Sequence, residues 1–264
     1  MTLIQLLLYK VPSFFLAVCI VAIAVLFSIG GLFLVRSVMP IPKRKLHNDV
    51  AGPLFATVGV IYAVLLAFMV VIAWENFHAA SNDVAKEANY IADIYRDTAP
   101  LSPAFRDSVK TALKEYVSDI VHDEWPLLAK GKRSEKVQAV QGRLWNLFSG
   151  YQPRTETEKI FFTEAVKKFN EACELRRLRL LDARASIHPV LWFVLIAGGL
   201  ITISFIFFFG TENFGPHLWM GMLLAALIAL ALFTIMTLDY PFTGDVSIKP
   251  DTFRVILQTL ISGK

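Results

Sequence analysis

His122, Asp123 and Glu124 form the one compact group in this chain with metal-ligand chemistry. Asp239, Asp245 and Asp251 gather carboxylates around a turn containing Pro241 and Gly244. Oxygen-rich turns of that kind can hold a hard cation such as calcium, but this spacing fits no EF-hand loop. Acidic turns without a metal are commoner, and a His-Asp-Glu triplet at a helix end is ordinarily just a solvated terminus, so no metal is assigned. A third group is basic: Arg176, Arg177, Arg179 and Arg184. Arginines this dense pair with lipid phosphate or with carboxylates on neighbouring helices, Asp123 and Glu124 among them. Repeated in an oligomer, they would also draw anions to a vestibule.

Other reactive chemistry is missing. The sequence has no phosphate-binding glycine loop, no H-E-x-x-H, no C-x-x-C and no nucleophile elbow. Its five histidines, His47, His78, His122, His188 and His217, include no pair at helical ligand spacing. Gly30-Gly31 and Gly198-Gly199 follow no strand and serve packing or bending. Cys19 and Cys173 are the only cysteines, too few for a disulfide framework. The reading is not an enzyme: no catalytic residues and no cofactor.

The elements that position these residues follow from how charge is distributed. Of 264 residues, 55% are hydrophobic and only 18% charged, with a mean hydropathy of +0.54. A soluble domain carries about 25% charged residues, so the class is integral membrane protein. Ser13–Val35, Leu54–Trp74, Val190–Phe209 and Leu218–Leu238 are each long enough to cross about 30 Å of hydrocarbon, and none contains Asp, Glu, Lys, Arg or His. The first is too long for a signal-peptide core and lacks a basic leader and a small-residue cleavage pattern, so it is expected to stay in the mature protein. Proton-coupled carriers place ionisable groups inside the membrane. Their absence here leaves a passive pore or a structural bundle.

The expected fold is all-α, with four transmembrane helices in two hairpins and a helical soluble block between spans 2 and 3. Residues 1–74 form the first hairpin, 75–189 the soluble helical bundle, 190–238 the second hairpin, and 239–264 a turn and short amphipathic helix. In the block, Phe77, Ala80, Val84, Ala88, Ile91 and Tyr95 form one stripe that continues span 2 as far as Pro100. Ser102-Pro103 starts a helix with the stripe Phe105, Val109, Leu113, Tyr116 and Ile120, expected to stop at Trp125-Pro126. After a turn at Lys130–Arg133, Val137, Val140, Leu144 and Phe148 mark a third helix. Thr155 and Glu158 open a fourth as a capping box, which carries Phe162, Ala165, Phe169 and Ala172 and runs to His188-Pro189. Phe253, Ile256, Leu257 and Leu260 pattern the terminal helix.

Span 2 has the sharpest pattern. Gly52, Ala56, Gly59, Ala63 and Ala67 make a narrow seam of small residues, the kind that lets helix backbones approach closely in lipid. Away from the seam the helix is bulky and apolar, and Val58, Ile61, Tyr62, Leu65, Phe68 and Met69 are the candidates to line a pore. The ordinary alternative is a seam against a neighbouring helix with the bulk facing lipid. Orientation rests on cations near the membrane. Arg36, Lys43, Arg44 and Lys45 in the first connection balance Lys10, Lys249, Arg254 and Lys264 near the termini. Lys86 and the four arginines of the block tip the balance, so the block and both termini are expected to be cytoplasmic. The net charge of +4 sits in these flanks and suits lipid headgroups rather than nucleic acid.

The combination of motifs resembles the bestrophin-like bacterial membrane proteins. It includes Gly52-Pro53-Leu54-Phe55 through Ala67-Phe68 to Trp74, then Ala85-x-Glu87-Ala88, Tyr95-Arg96, Tyr116-Val117 and Glu124-Trp125-Pro126. Arg176-Arg177-x-Arg179-Leu180, Pro189-x-x-Trp192, Gly198-Gly199 and Asp239-x-Pro241-Phe242-x-Gly244 complete it, so that the likeness extends from about Asn48 to Phe253. The resemblance implies kinship with bestrophins: oligomeric anion channels with four spans, a cytosolic helical block and a pore lined by the second span. The Pro-Phe-x-Gly-Asp stretch is similar to the run with which animal bestrophins clasp calcium, except that a residue intervenes before Gly244 and the dense acidic run is missing. The implied protein is a multi-pass inner-membrane, homo-oligomeric ion channel, pentameric by analogy, with lipid and a permeant ion as partners. The other reading is a non-conducting scaffold or sensor whose helical block binds a cytoplasmic partner.

Overall fold

A computed structural model describes residues 2–184 and 187–262, so that Lys264 among the counted cations lies outside the described residues. Among the described residues every regular element is helical. The chain divides into two compact units, one of residues 10–76 and 185–239, the other of residues 1–9, 77–184 and 240–264.

A short α1 (Leu3–Lys10) precedes α2 (Ser13–Val38), α3 (Ile41–Lys45) and α4 (Asn48–Asp97). Then come α5 (Pro103–Asp119), α6 (Trp125–Leu128), α7 (Glu135–Gly150), α8 (Glu156–Asp182), α9 (Pro189–Phe207), α10 (Phe214–Leu238) and α11 (Asp251–Ser262). Four of these, α2, α4, α9 and α10, are long and apolar enough to cross a membrane. Span 2 and the first stripe of the helical region are one helix of 50 residues, because no glycine or proline separates the one from the other. Its start lies before Pro53, which stands inside the helix near its N-terminal end, one hydrogen bond short of a full ladder.

In the first unit, small residues set the packing. A Cβ on Gly198 would stand 2.7 Å from the Tyr62 ring, and one on Gly199 would stand 2.9 Å from the Tyr62 hydroxyl. The glycine pair therefore makes room for a tyrosine, whose hydroxyl donates to the Leu195 carbonyl at 2.9 Å. Gly31 likewise admits the Phe207 ring, and Gly221 lies against Ser28 and Leu32. Leu32, Tyr62, Ile203, Phe207, Ala225 and Ile228 form the core. At one end, the Asn48 amide donates to the Gly210 carbonyl at 3.0 Å and accepts from the Gly210 N–H at 2.9 Å.

The second unit buries the expected stripes. Ala80, Val84, Ala88 and Ile91 of α4, all five residues of the α5 stripe and all four of α7 are buried, with Phe77 and Tyr95 partly so. Ser134 caps α7 by accepting from the Val137 N–H at 3.3 Å. Thr155 caps α8 by accepting from the Glu158 N–H at 3.1 Å, and the Glu158 carboxylate reaches back to the Arg154 N–H at 2.7 Å. Phe253 and Leu260 of α11 join the same core.

Three features depart from the sequence reading. The α5 helix does not stop at Trp125-Pro126. It widens into a π-helical turn over Ile120–Glu124 and continues as α6. An α-helical Pro126 would press its ring on the carbonyl four residues back, and the wider turn, in which the Trp125 N–H bonds to the Ile120 carbonyl, avoids that clash. The α8 helix ends at Asp182 rather than near His188, which instead caps α9 through Nδ1 and the Val190 N–H at 3.3 Å. Finally, α1 has no counterpart in the sequence reading, since eight residues are too few to establish a period.

The glycine–tyrosine fit makes a measurable pair. Gly198→Ala should destabilise the protein in detergent by about 1–3 kcal/mol through overpacking, and the loss should be smaller in a Tyr62→Ala background. Additive melting shifts in the double variant would show that the two sites do not touch.

Candidate functional site

In the membrane-crossing unit, α4 presents two distinct sides. Tyr62 and Met69 are 5% and 3% exposed, sealed against the chain's own helices, and Val58 and Leu65 are half-buried. Ile61 and Phe68 of the expected pore set are exposed. Phe68 also belongs to a row whose other members the sequence did not single out: Val60, Val64 and Phe68, at four-residue steps, are 63%, 49% and 63% exposed, and Val71 continues the row. Ala56, Ala63 and Ala67 of the small seam are also exposed, while a Cβ added to Gly52 or Gly59 would meet no atom within 4 Å. No described helix of this chain packs on the seam. The seam and the bulky row are adjacent faces of one helix, both open to whatever surrounds the single chain.

In the other unit, the arginine group splits. Arg176 and Arg179 point inward and are 3% and 1% exposed, while Arg177 and Arg184 are exposed. Arg179 donates from Nε to Glu87 at 2.7 Å, and from Nη2 to Glu87 and Glu124, each at 3.0 Å. Arg176 holds Glu124 through Nε at 3.1 Å and Nη2 at 2.5 Å, and its Nη1 donates to Gln138 at 3.0 Å and Gln141 at 2.6 Å. The Ser134 N–H also donates to Glu124, at 3.3 Å. Two buried guanidinium groups thus face two buried carboxylates, and the sum of charge is zero. Arg179 Nη1 has no hydrogen-bond partner, but the guanidinium carbon stands 5.3 Å from the Trp125 ring centroid and 5.6 Å from that of Phe253. Cation–π attraction compensates part of the lost hydration.

The two carboxylates titrate in opposite directions. Burial pushes the Glu87 carboxyl up, with Arg179 offsetting only part of the rise. Burial works against the Glu124 anion as well, but the hydrogen bonds and charge of Arg176 and Arg179 overcome it and hold its carboxyl below the ordinary glutamate range. With every oxygen of both carboxylates occupied, the network suits a structural tie rather than acid–base chemistry.

The remaining sequence candidates are dispersed. Glu124 belongs to the buried network, Asp123 bonds to Ser134 and to Lys136 at 3.1 Å, and His122 Nδ1 meets the Ser118 carbonyl at 2.9 Å. Asp239 accepts from the Ile187 N–H at 2.9 Å and from Trp192 Nε1 at 3.3 Å. Asp251 pairs with Arg254 at 2.9 Å, and Asp245 is exposed. Among the described residues no three acidic, histidine or cysteine side chains converge as metal ligands do. Glu87, Gln138 and Gln141 were missed as partners. Only the motif Ala85-x-Glu87-Ala88 marked Glu87, a carboxylate on an otherwise apolar face beside Val84, Ala88 and Ile91.

A family profile described as a bestrophin-like domain matches residues 22–253. No curated protein matches the chain. Among solved structures, a point variant of a bacterial bestrophin homologue from Klebsiella pneumoniae aligns with a TM-score of 0.70 at 12% identity, covering 94% of this chain and 99% of that one. The same homologue, phased on zinc, aligns with a TM-score of 0.69 at 11% identity over 93% of this chain and 97% of that one. A variant described only as a membrane protein gives the same four values. At these identities the likeness is one of fold.

The network has a defined pH signature. A carboxyl held low by its partners stabilises the fold above the ordinary glutamate pKa of about 4.3, and that contribution is lost as pH falls through the depressed value. Glu124→Gln should therefore lower the melting temperature at neutral pH and flatten the decline on acidification. Arg179→Met, which strands Glu87, should destabilise by about 3–5 kcal/mol. Unchanged acid titration of stability in Glu124→Gln would remove Glu124 as the titrating group.

Proposed function

The chain belongs to the bestrophin-like family, and on that premise we propose that it is a homo-oligomeric ion channel with α4 standing around the symmetry axis. The observation that carries this reading is the uneven covering of α4. Its Tyr62–Met69 side is sealed within the chain, whereas the Val60, Val64, Phe68 and Val71 row is left open. Repeated around an axis, that row is a ring of apolar side chains at successive levels, which closes a pore to ions by dewetting and needs no buried charge. The adjacent small residues Ala56, Ala63 and Ala67 let the helix of the next subunit approach closely. The seam thus serves packing between copies, and the bulky row serves the axis. The set of candidate lining residues narrows accordingly to Ile61 and Phe68, joined by Val60 and Val64.

Five subunits follow from the analogy with bestrophins. The permeant ion is an anion on the same analogy, with exposed Arg177 and Arg184 as local positive charge. The membrane is a bacterial inner membrane, with the helical region and both termini on the cytoplasmic side, as the basic flanks favour. The second reading, a non-conducting scaffold or sensor, draws on Trp145, Ile160 and Phe161, which are apolar and exposed in the helical region.

Planar bilayers containing the purified protein test the proposal. Phe68→Ala should raise conductance about tenfold or more by widening the apolar ring, and Met69→Ala should leave unitary conductance unchanged. Absence of unitary currents from both the natural protein and Phe68→Ala, across salt and calcium conditions, would eliminate the channel reading.

A further inference from the structure

We infer that the hollow between the C-terminal end of α8 and the α6–α7 turn is a binding site for a phosphate-bearing anion, a role independent of whether the chain conducts. The hollow has a volume of about 670 Å³ and lies wholly within the helical unit. Lys132 and Arg133 line one side, Arg177 and Arg184 the other, with no carboxylate in the lining. Gly131, at a φ of 64°, makes the turn that brings Lys132 and Arg133 opposite α8; glycine takes that left-handed conformation at no steric cost.

The charges in this hollow are only half neutralised. Arg133 pairs with Glu135 at 3.2 Å, and Arg177 pairs with Glu174 at 3.2 Å. All four of those side chains are more than half exposed, so water screens both pairs and an incoming anion competes easily with them. Lys132 and Arg184 have no carboxylate partner among the described residues. This contrasts with Arg176 and Arg179 on the same helix, whose charges are cancelled internally. Three arginine forks and an ammonium group lining one space match the tetrahedral, multiply accepting oxygens of a phosphoryl group.

The hollow also has an apolar side. Leu180 and Leu181 line it, and Leu181 is 64% exposed. A phosphate next to an apolar surface is the chemistry of an anionic lipid headgroup, and Arg184 stands a few residues before the third membrane-crossing helix in sequence. A soluble phosphate or pyrophosphate presents the same anion without the chain. Both satisfy the same cations, and experiment separates them.

The test uses the full chain in mild detergent. Native mass spectrometry counts adducts of added phosphatidylglycerol against phosphatidylcholine, and calorimetry measures inorganic pyrophosphate. The natural protein should retain phosphatidylglycerol, bind pyrophosphate, or do both. A Lys132→Gln/Arg184→Gln double variant should weaken that binding about tenfold or more, since each charge-assisted hydrogen bond contributes on the order of a tenfold factor. Lys132→Arg/Arg184→Lys should restore it. Arg143→Gln, which removes an exposed cation paired with Glu115 outside the hollow, should leave it unchanged. Binding of phosphatidylglycerol alone identifies the ligand as a headgroup, and binding of pyrophosphate alone identifies a soluble anion. No binding of either probe, or equal binding by the double variant with an unaltered melting curve, would overturn the site.

Discussion

A guanidinium group taken out of water must be neutralised where it stands, and Arg179 is fully buried between three segments of the chain. Its fork reaches Glu87 on α4 and Glu124 in the π-helical turn, while Trp125 and Phe253 lie against it. Removing any one partner leaves a charge without compensation in a medium that cannot supply it. Much of the helical unit follows from that demand. The π turn places Glu124 and Trp125 together where an ideal helix would collide with Pro126. Arg176, three residues before Arg179, grips the other side of Glu124, and α11 carries Phe253 into the same core. The requirement also fixes the rotation of this part of α4, because only one angular setting puts Glu87 inside.

A different constraint governs the membrane-crossing unit, whose core of Leu32, Tyr62, Ile203, Phe207, Ala225 and Ile228 carries no charge to neutralise. Helices associate in lipid by fit rather than by expulsion of water, and the tightest fit is Tyr62 against Gly198 and Gly199. The phenol needs both an acceptor, supplied by the Leu195 carbonyl, and space, supplied by two missing side chains. Once Tyr62 faces inward, Met69 and Ala73 follow on the same side of α4, and the Val60–Phe68 row is turned outward. The proposal of an axial pore helix rests on this choice of face, made by a side chain that never meets the pore.

Much of this was legible in the sequence, and the reasons for the exceptions are physical. Uncharged runs of about twenty residues announce the spans, and the three-and-four spacing of apolar residues announces each helix of the block, because both signals are local. The Thr155–Glu158 capping box and the Ser102-Pro103 helix start are local as well, whereas the Ser134 cap was not singled out. The face of span 2 that packs inward was not local information. A helix apolar all round looks alike from every side, and the bulk of Tyr62 and Met69 suggested the pore, although only Gly198 and Gly199, far along the chain, decide where Tyr62 goes. The arginine run was similarly ambiguous. Four cations in nine residues read as one cluster, yet helical rotation sends Arg176 and Arg179 inward to carboxylates and leaves Arg177 and Arg184 at the surface. Of the two buried carboxylates, Glu124 was anticipated as a partner of the arginines and Glu87 was not, because a pairing between distant helices leaves no mark in local spacing.

The central claim, that the open face of α4 meets copies of itself around an axis, is tested most directly by disulfide cross-linking in native membranes. In a Cys19→Ser background, cysteine placed at Val64 or at Met69 would be oxidised and the products separated without reductant. The account predicts inter-subunit dimers from Val64→Cys and none from Met69→Cys, which its own chain seals. Efficient cross-linking at Met69, or none at Val64 while the protein remains oligomeric, would contradict it.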